Sequence, residues 1–486
     1  MKREFLINIA ILATANLLIK PLYVFGIDRT VQNLLGPDVY GGAYAALLSY
    51  AYLFAILNDF GIQNFTAREI SHQPSAFAQY FPHLLSLKGI LAILYMAAVL
   101  GSAYFIGLSS SLLANLALLA FNLVLISFLF FFRSNIAALG HYRVDSLLSV
   151  ADKFWLITIM ALLIWGLPSF ELKVHHFILA QTLSIVLSIG IALYVLGSRL
   201  LDIHFSLSLR WVWRLLQKSL PYAAVLFFGT IYTRVDSVML KFLLPDGDYH
   251  AGVYAAAYRL WEMLNMFAFL FASLLLPMFA RLYREGKSPF PLFRLGAGLL
   301  WMIGLLTALV FFPFRHIIMQ VLYTHFTPYW GEVWGLLLWS FPASALSYVQ
   351  GALLLAAGKV RKASMLYGIA AIANITLNAV YIPTFKAEGA ALATLITQLA
   401  VVVMGFYLLR RDVLPQLQLR YLCRFCLFAI ATLLTTLILE QLSIHSYMLV
   451  AVCALSIAGG FSLLWLYSET KSLKWKYWLE ILKKDA

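Results

Sequence analysis

Long apolar runs, separated by polar residues or by Gly and Pro, follow one another along almost the whole chain. A helix needs roughly 20 mostly apolar residues to cross a bilayer. Runs of about this length lie at 5–34, 41–62, 77–107, 112–132, 144–167, 174–196, 219–244, 252–279, 292–314, 333–357, 363–382, 389–409, 421–439 and 447–467. The pattern predicts an all-α integral membrane protein with about fourteen transmembrane helices.

The composition also indicates an integral membrane protein. The chain has 486 residues, of which 63% are hydrophobic and 12% charged, whereas a soluble domain is about 25% charged. So few charges cannot cover that much apolar surface in water. Soluble enzymes, disordered chains and disulfide frameworks are therefore excluded. The three cysteines, Cys423, Cys426 and Cys453, lie in apolar surroundings without the further ligands that a metal or redox site needs.

Lys and Arg are unevenly distributed between the predicted loops. One set of connections contains Lys2, Arg3, Arg68, Arg133, Arg143, Arg199, Arg210, Arg214, Lys218, Arg281, Arg284, Lys287, Lys359, Arg361, Lys362, Arg410, Arg411, Arg420 and the lysines of the tail. The alternate connections hold little beyond Lys173, Lys241, Arg315 and Lys386. Because cytoplasmic loops carry the excess of Lys and Arg, we predict a multi-pass protein with both termini in the cytoplasm. This asymmetry accounts for most of the net charge of +14 without any nucleic-acid partner.

The sequence contains one long internal repeat. Residues 35–46 resemble residues 244–256, and Asp28 and Asp236 each precede the repeated proline by nine residues. The repeat spans six predicted helices, and an even number makes the two halves parallel repeats. We predict a six-helix bundle at 1–200, a second at 201–412, transmembrane helices 13 and 14 at 413–468, and a basic amphipathic cytoplasmic tail at 469–486.

Ionisable side chains inside the predicted helices are functional candidates, because they are costly unless they face protein or water. The cations are Lys20, Arg29, Lys88, Lys153, Arg234 and Arg259, and the acids are Asp28, Asp152, Asp236 and Glu262. A cation-rich interior suits an anionic substrate, since a guanidinium can hold a phosphate through two hydrogen bonds. Lys20, beside the kinking Pro21, has no acidic residue near it in sequence, which favours a binding role.

Four of these residues have a structural alternative. Counted from the outer ends of predicted helices 7 and 8, Arg234 is level with Glu262, and Asp236 is level with Arg259. Two ion pairs between the helices would then neutralise the four charges and hold the helices together. The aromatic residues at the same depth are better interpreted as packing residues.

Motifs for catalysis or metal binding do not accompany these charges. Asp246-Gly247-Asp248 matches the D-x-D of sugar-nucleotide enzymes, but it lies in a short loop without a nucleotide-sized domain. The sequence contains no P-loop, nucleophile elbow or H-E-x-x-H. We expect neither an enzyme nor a bound metal or cofactor.

Several short motifs, taken in order, resemble one family. They are GPDVYG at 36–41, DFGIQNF at 59–65 with Arg68-Glu69, RVDSVML at 234–240, GVYAA at 252–256, NITLN at 374–378 and GAALAT at 389–394. The chain is similar to the bacterial polysaccharide-repeat (O-antigen, Wzx-type) flippases of the multidrug/oligosaccharidyl-lipid/polysaccharide exporter superfamily. One departure is Lys386, where the family commonly has a small or Gly-containing turn.

The resemblance implies two six-helix bundles in a V, a central cavity and alternating access. It implies an undecaprenyl-pyrophosphate-linked oligosaccharide as substrate, moved from the cytoplasmic to the periplasmic leaflet of the bacterial inner membrane. The cations would receive the pyrophosphate, and the acids would form ion pairs or couple ion movement. The polysaccharide polymerase of the same pathway is a candidate partner.

Three other functions stay open. A multidrug antiporter of the same fold would need an acidic cavity for its mostly cationic drugs, which the lysines and arginines disfavour. A lipid II flippase would have a similar charge. A membrane-embedded polymerase or glycosyltransferase usually carries a large outer loop or a nucleotide domain, and no predicted loop is longer than about twenty residues.

The charge asymmetry gives a test of the topology. In a variant whose three cysteines are replaced by serine, Lys386→Cys should react with an impermeant maleimide in intact spheroplasts. Lys359→Cys should react only after the membrane is permeabilised. If Lys359→Cys reacts in intact spheroplasts, the predicted orientation is wrong.

Overall fold

A computed structural model describes residues 14, 16–62, 77–167, 169–197, 209–417 and 419–441, and all regular elements within these ranges are helical. Predicted transmembrane helix 14, the tail at 469–486 and the motif residues 63–69 lie outside the described residues. Eight of the described helical stretches are long and apolar enough to cross a membrane.

The helices of the first half are α1 (Arg29–Tyr40), α2 (Ala46–Leu53), α3 (Ile56–Asp59), α4 (Phe77–Ile106), α5 (Ser110–Ala138), α6 (Tyr142–Ala161) and α7 (Val174–Leu196). Wide π-helical turns occur at Leu22–Asp28, Gly41–Ala45 and Leu162–Gly166. The helices of the second half are α8 (Leu209–Leu243), α9 (Gly247–Arg284), α10 (Phe290–Phe311), α11 (Arg315–Leu322), α12 (Pro328–Ala356), α13 (Val360–Asp412) and α14 (Leu419–Gln441).

At two predicted boundaries between helices, the chain stays helical across a kink instead of forming a loop. The chain between the first two predicted helices stays helical and kinks at Gly36, whose φ is +76°. Glycine suits this backbone because it lacks a Cβ, and Pro37 starts the next turn, where its missing N–H costs nothing. Similarly, α13 joins predicted helices 11 and 12 through a break at Lys386 (φ +55°, ψ −128°).

Contacts divide the chain into two compact units. The first contains Met1–Ala256, Leu322–His325 and Ile375–Ala390, and the second contains Ala257–Val321, Phe326–Asn374 and Ala391–Ala486. The first unit therefore gathers short segments of the second half of the sequence. The predicted bundle boundaries at 1–200 and 201–412 stay a prediction.

Each unit has its own packed interior. In the first unit, α5 packs on α7, and a separate aromatic cluster places the rings of Phe81 and Phe131 5.2 Å apart. In the second unit, α10 packs on α12, and Gly304 lies so close to Pro342 that a Cβ would overlap the proline backbone. Small residues permit such close helix approach in membranes, where van der Waals packing drives association.

The break in α13 gives a stability prediction. The backbone of Lys386 lies in a region that non-glycine residues occupy at a cost of roughly 1–3 kcal/mol. Its exposed ion pair with Asp246 is worth less than about 1 kcal/mol. We therefore expect Lys386→Gly to raise the free energy of unfolding by about 1 kcal/mol, measured by thermal unfolding in detergent. Lys386→Ala is the control, since it removes the charge but keeps the strain. The explanation is wrong if both variants lose stability equally.

Candidate functional site

Lys153 of α6 is the first member of a cation cluster in the first unit. Its ammonium nitrogen lies 3.1 Å from a carboxylate oxygen of Asp152 and 5.1 Å from the centroid of the Tyr23 ring. The turn Leu22–Asp28 presents Tyr23 at this position. The face of an aromatic ring attracts a cation through its quadrupole, so Lys153 is held by one acid and one ring.

Tyr52 of α2 connects this lysine to Arg234 of α8. The guanidinium carbon of Arg234 lies 4.9 Å from the centroid of the Tyr52 ring, and Lys153 interacts electrostatically with the same tyrosine. The two predicted site cations therefore come together around one aromatic side chain. They belong to helices whose sequences are separated by the whole of α7.

Lys20 completes the cluster. The half-buried Lys20 interacts electrostatically with Asp152, Lys153 and Arg133. Arg133 is itself paired with Asp145, with 2.9 Å between nitrogen and oxygen. The fold thus supplies the acidic neighbour that Lys20 lacks in the sequence. We call Lys20, Lys153 and Arg234, together with Asp152, Tyr23 and Tyr52, the cation cluster.

Asp28, at the end of the first π-helical turn, is fully buried. One of its oxygens accepts hydrogen bonds from the hydroxyls of Tyr23 (3.2 Å) and Tyr40 (2.9 Å). The other accepts one from the side-chain amide of Gln32 at 3.1 Å. Since Tyr23 also lies under Lys153, this carboxylate is joined to the cation cluster through one ring.

Asp236, the repeat-related partner of Asp28, is just as deeply buried. It accepts hydrogen bonds from the Tyr254 hydroxyl at 2.5 Å and from the Asn378 amide at 2.6 Å. Each half of the sequence therefore supplies a buried carboxylate that receives hydrogen bonds from tyrosine and from a carboxamide. The repeated segments contain Tyr40 and Tyr254, but the repeat did not indicate that their hydroxyls donate to the two aspartates.

Lys88 has a different environment. Its ammonium donates to Asp59 at 2.8 Å, to the Ser127 hydroxyl at 2.5 Å and to the carbonyl of Asn58 at 3.2 Å. An ammonium has three N–H donors, so all three are occupied within α3 and α5. The Asn58 carbonyl lies at the end of α3, and Lys88 therefore joins α3, α4 and α5.

The remaining predicted cations lie on two helices. Arg29 is the first residue of α1, and its Nε is buried without a hydrogen-bond partner among the described residues. In the second unit, Arg259 pairs with Glu262 one turn along α9, at 2.8 Å. Matching the four residues by their depth in the membrane predicts pairs between two helices, not this pair within α9. The predicted pairings between helices stay a prediction.

The D-x-D sequence forms ion pairs. A carboxylate oxygen of Asp246 lies 2.9 Å from the ammonium nitrogen of Lys386 and 3.0 Å from a ring nitrogen of His250. A carboxylate oxygen of Asp248 lies 2.5 Å from the ammonium nitrogen of Lys241. Hydrogen bonds from Lys386 and His250 lower the pKa of Asp246 to about 2. Both carboxylates thus have basic partners, and Asp246 stays ionised over the physiological pH range.

The environments of Lys88 and Lys153 predict different effects of their replacement on the free energy of unfolding. Lys88→Met leaves Asp59 without its buried partner and should lower the free energy of unfolding by about 3 kcal/mol. Lys153→Met, the matched control, removes a partly exposed pair and should cost less than about 1 kcal/mol. Thermal unfolding in detergent measures both. Equal losses would show that Lys153 is as structural as Lys88.

Comparisons with solved structures show the fold. The chain is similar to the lipid II flippase MurJ in an inward closed conformation, with 13% identity, a TM-score of 0.63, and coverage of 95% of this chain and 99% of that chain. An inward-facing multidrug resistance MATE family transporter of the MOP superfamily has 15% identity and a TM-score of 0.58. The match covers 82% of this chain and 96% of that chain. A MOP superfamily transporter from Pyrococcus furiosus has 14% identity and a TM-score of 0.58. The match covers 82% of this chain and 93% of that chain.

These likenesses confirm the predicted all-α membrane transporter fold. None of the curated proteins matches the sequence significantly. The profile of the family described as "Polysaccharide biosynthesis protein" matches residues 5–283, which is more than half of the chain and includes every member of the cation cluster. The chain therefore belongs to the polysaccharide biosynthesis protein family.

Proposed function

We propose that the protein is a flippase that moves undecaprenyl-pyrophosphate-linked oligosaccharide repeat units from the cytoplasmic to the periplasmic leaflet of the bacterial inner membrane by alternating access. The observation that carries this proposal is that Lys153 lies over the Tyr23 ring and Arg234 over the Tyr52 ring, with Lys20 as an electrostatic neighbour of Lys153. The polysaccharide polymerase of the pathway is the partner that such a flippase would supply.

The cation cluster has the chemistry of a pyrophosphate receptor. It brings the three cations Lys20, Lys153 and Arg234 together with the carboxylate of Asp152 and two tyrosine rings. Tyr23 and Tyr52 hold cations by their ring faces, an attraction that does not cancel the charge as a carboxylate would. Arg29, with its buried Nε donor, is a further candidate for the anion, because buried donors are normally satisfied.

Two pairs of acids have separate proposed roles. Asp28 and Asp236 are the candidates for coupling to ion movement, since both are buried and both are hydrogen-bonded by neutral donors that can also serve a protonated carboxyl group. Asp152 and Glu262 are candidates for ion pairing, because each contacts a cation directly. Arg259 stays a candidate for substrate binding in the second unit.

Flipping in proteoliposomes tests the proposal. The probe is a fluorescent undecaprenyl-pyrophosphate glycan, with lipid II and a cationic drug as separate arms. We expect Lys20→Ala, Lys153→Ala and Arg234→Ala each to reduce glycan flipping at least about tenfold, because a phosphate contact to a charged donor is worth roughly 1.5–3 kcal/mol. Lys173→Ala is the matched control, since Lys173 lies outside the cluster before α7.

The arms separate the competing functions. Normal glycan flipping by all three variants would contradict the role of the cation cluster. Transport of lipid II alone would replace the oligosaccharide substrate with the peptidoglycan precursor. Transport of the cationic drug alone would identify a multidrug antiporter and contradict the proposal.

A further inference from the structure

Three polar residues of α6 lie on one face of this helix at intervals of about one turn. Asp145, Ser149 and Lys153 are spaced four residues apart, and residues at this spacing are neighbours on a helix surface. Because a helix rises about 1.5 Å per residue, the three extend over roughly 12 Å of α6. Lys153 belongs to the cation cluster, whereas Asp145 lies in the first turn of α6. We call these three residues the polar stripe.

Two residues of the polar stripe are hydrogen-bonded to other helical segments. The Ser149 hydroxyl accepts from the side-chain amide of the buried Asn16 at 3.1 Å. The carboxylate of Asp145 accepts from the Nε of Arg133 of α5 at 2.9 Å. The polar stripe therefore faces the first segment of the chain and α5, not the surrounding lipid alone.

Lys20 joins the two ends of the polar stripe electrostatically. It follows Asn16 by four residues, and it interacts with Arg133 at one end of the stripe and with Lys153 at the other. Positively charged side chains thus follow one another from the first turn of α6 to the cation cluster.

Arg133 uses its Nε within the protein and leaves its terminal nitrogens available. The Nε donates to Asp145, and the guanidinium carbon lies 5.6 Å from the centroid of the Phe130 ring. Among the described residues, none accepts a hydrogen bond from the two terminal nitrogens of Arg133. Both of these nitrogens carry N–H groups, so Arg133 keeps donors for a ligand.

Arg315 of α11 shows the contrasting, fully paired arrangement. Its Nε and one terminal nitrogen reach the carboxylate of Glu332 at 3.4 and 3.0 Å. Its other terminal nitrogen donates to the carbonyl of Phe312 at 3.3 Å. The guanidinium of Arg315 is therefore occupied on every nitrogen by the protein, whereas that of Arg133 is oriented by Asp145 and only partly occupied.

The pair of Arg133 and Asp145 lies at the end of α5 and α6 that is predicted to be cytoplasmic. Arg133 is in the last two turns of α5, which ends at Ala138, and α6 begins at Tyr142. The short connection between them belongs to the set rich in Lys and Arg, which the charge asymmetry assigns to the cytoplasm. An anion that enters from this side would meet Arg133 before Lys20 and Lys153.

We propose that Arg133 is the entry site for the pyrophosphate group of the substrate, and that the polar stripe is its path to the cation cluster. This inference rests on the proposed flippase function and names the residue that receives the substrate first. A planar guanidinium presents donors on more than one edge. The Nε of Arg133 can therefore stay on Asp145 while the terminal nitrogens bind a phosphate.

Labelling of a cysteine in the polar stripe tests this path. Ser149→Cys is placed in a protein whose native cysteines are replaced by serine, and the protein is purified in detergent. Its rates with an anionic and a cationic methanethiosulfonate are each divided by the rate of the same reagent with a free thiol in solution. We expect the anionic reagent to be favoured at least about tenfold, because a cation-lined path concentrates anions. Inorganic pyrophosphate should slow the labelling, and sodium chloride of equal ionic strength should not.

Arg133→Gln is the variant that identifies the entry site. It should raise the concentration of inorganic pyrophosphate that gives half-maximal protection of Ser149→Cys at least about tenfold, because it removes hydrogen bonds from a charged donor. Arg143→Gln is the matched control. It removes the same charge from an exposed side chain at the same end of α6, and it should leave the protection unchanged.

Asp145→Asn separates an entry site from a purely structural ion pair. If the pair only joins α5 to α6, either replacement removes it, and both variants should lose protection equally. If Arg133 receives the anion, Asp145→Asn keeps the guanidinium, and its amide oxygen still accepts from the Nε, so the protection should be retained. Equal losses in Arg133→Gln and Asp145→Asn overturn the inference. Unchanged protection in Arg133→Gln, or no reaction at Ser149→Cys, also overturns it.

The labelling needs no lipid-linked substrate, so its outcome is separate from that of the flipping assay. Protection that depends on Arg133, in a protein that flips no lipid-linked glycan, would support the anion site and contradict the proposed function. In a working flippase, Arg133→Gln should raise the glycan concentration for half-maximal flipping and change the maximal rate little. Glycan flipping with an unchanged concentration dependence in Arg133→Gln would contradict the entry site and leave the proposed function standing.

Discussion

A hydrocarbon environment offers no water to a buried polar group, so such a group is costly unless the chain supplies a partner for it. The buried charges show how the fold meets that demand. Asp28 and Asp236 receive hydrogen bonds from tyrosine and carboxamide side chains, and Lys88 donates to three oxygens.

The same demand separates structural cations from candidate binding cations. All three donors of Lys88 are occupied at the end of α3, where the lysine connects three helices. Lys153 and Arg234 instead lie on the faces of Tyr23 and Tyr52. Ring faces stabilise a cation without neutralising it. An anion entering the cation cluster would therefore meet cations that aromatic rings, as well as Asp152, hold in place.

The family profile assigns the chain to the polysaccharide biosynthesis protein family, and the solved structures show its fold. The internal repeat also acquires a physical meaning, because Asp28 and Asp236 have matching hydrogen-bond environments in the two halves. A buried carboxylate in each half of the chain therefore receives hydrogen bonds from a tyrosine hydroxyl and from a carboxamide. The proposed coupling role of these residues follows from that symmetry.

The sequence by itself determined the membrane class, the positions of most helices and the family, because apolar run length and local motifs depend on neighbouring residues. It also identified the charged residues that need an explanation. Only the tertiary structure decided their partners. Lys20 has Asp152 as its acidic neighbour, and Gly41 meets Gly252, through contacts between residues far apart in the chain. Such contacts depend on how helices rotate and pack against each other, and a uniformly apolar helix carries little periodic signal that would fix its rotation.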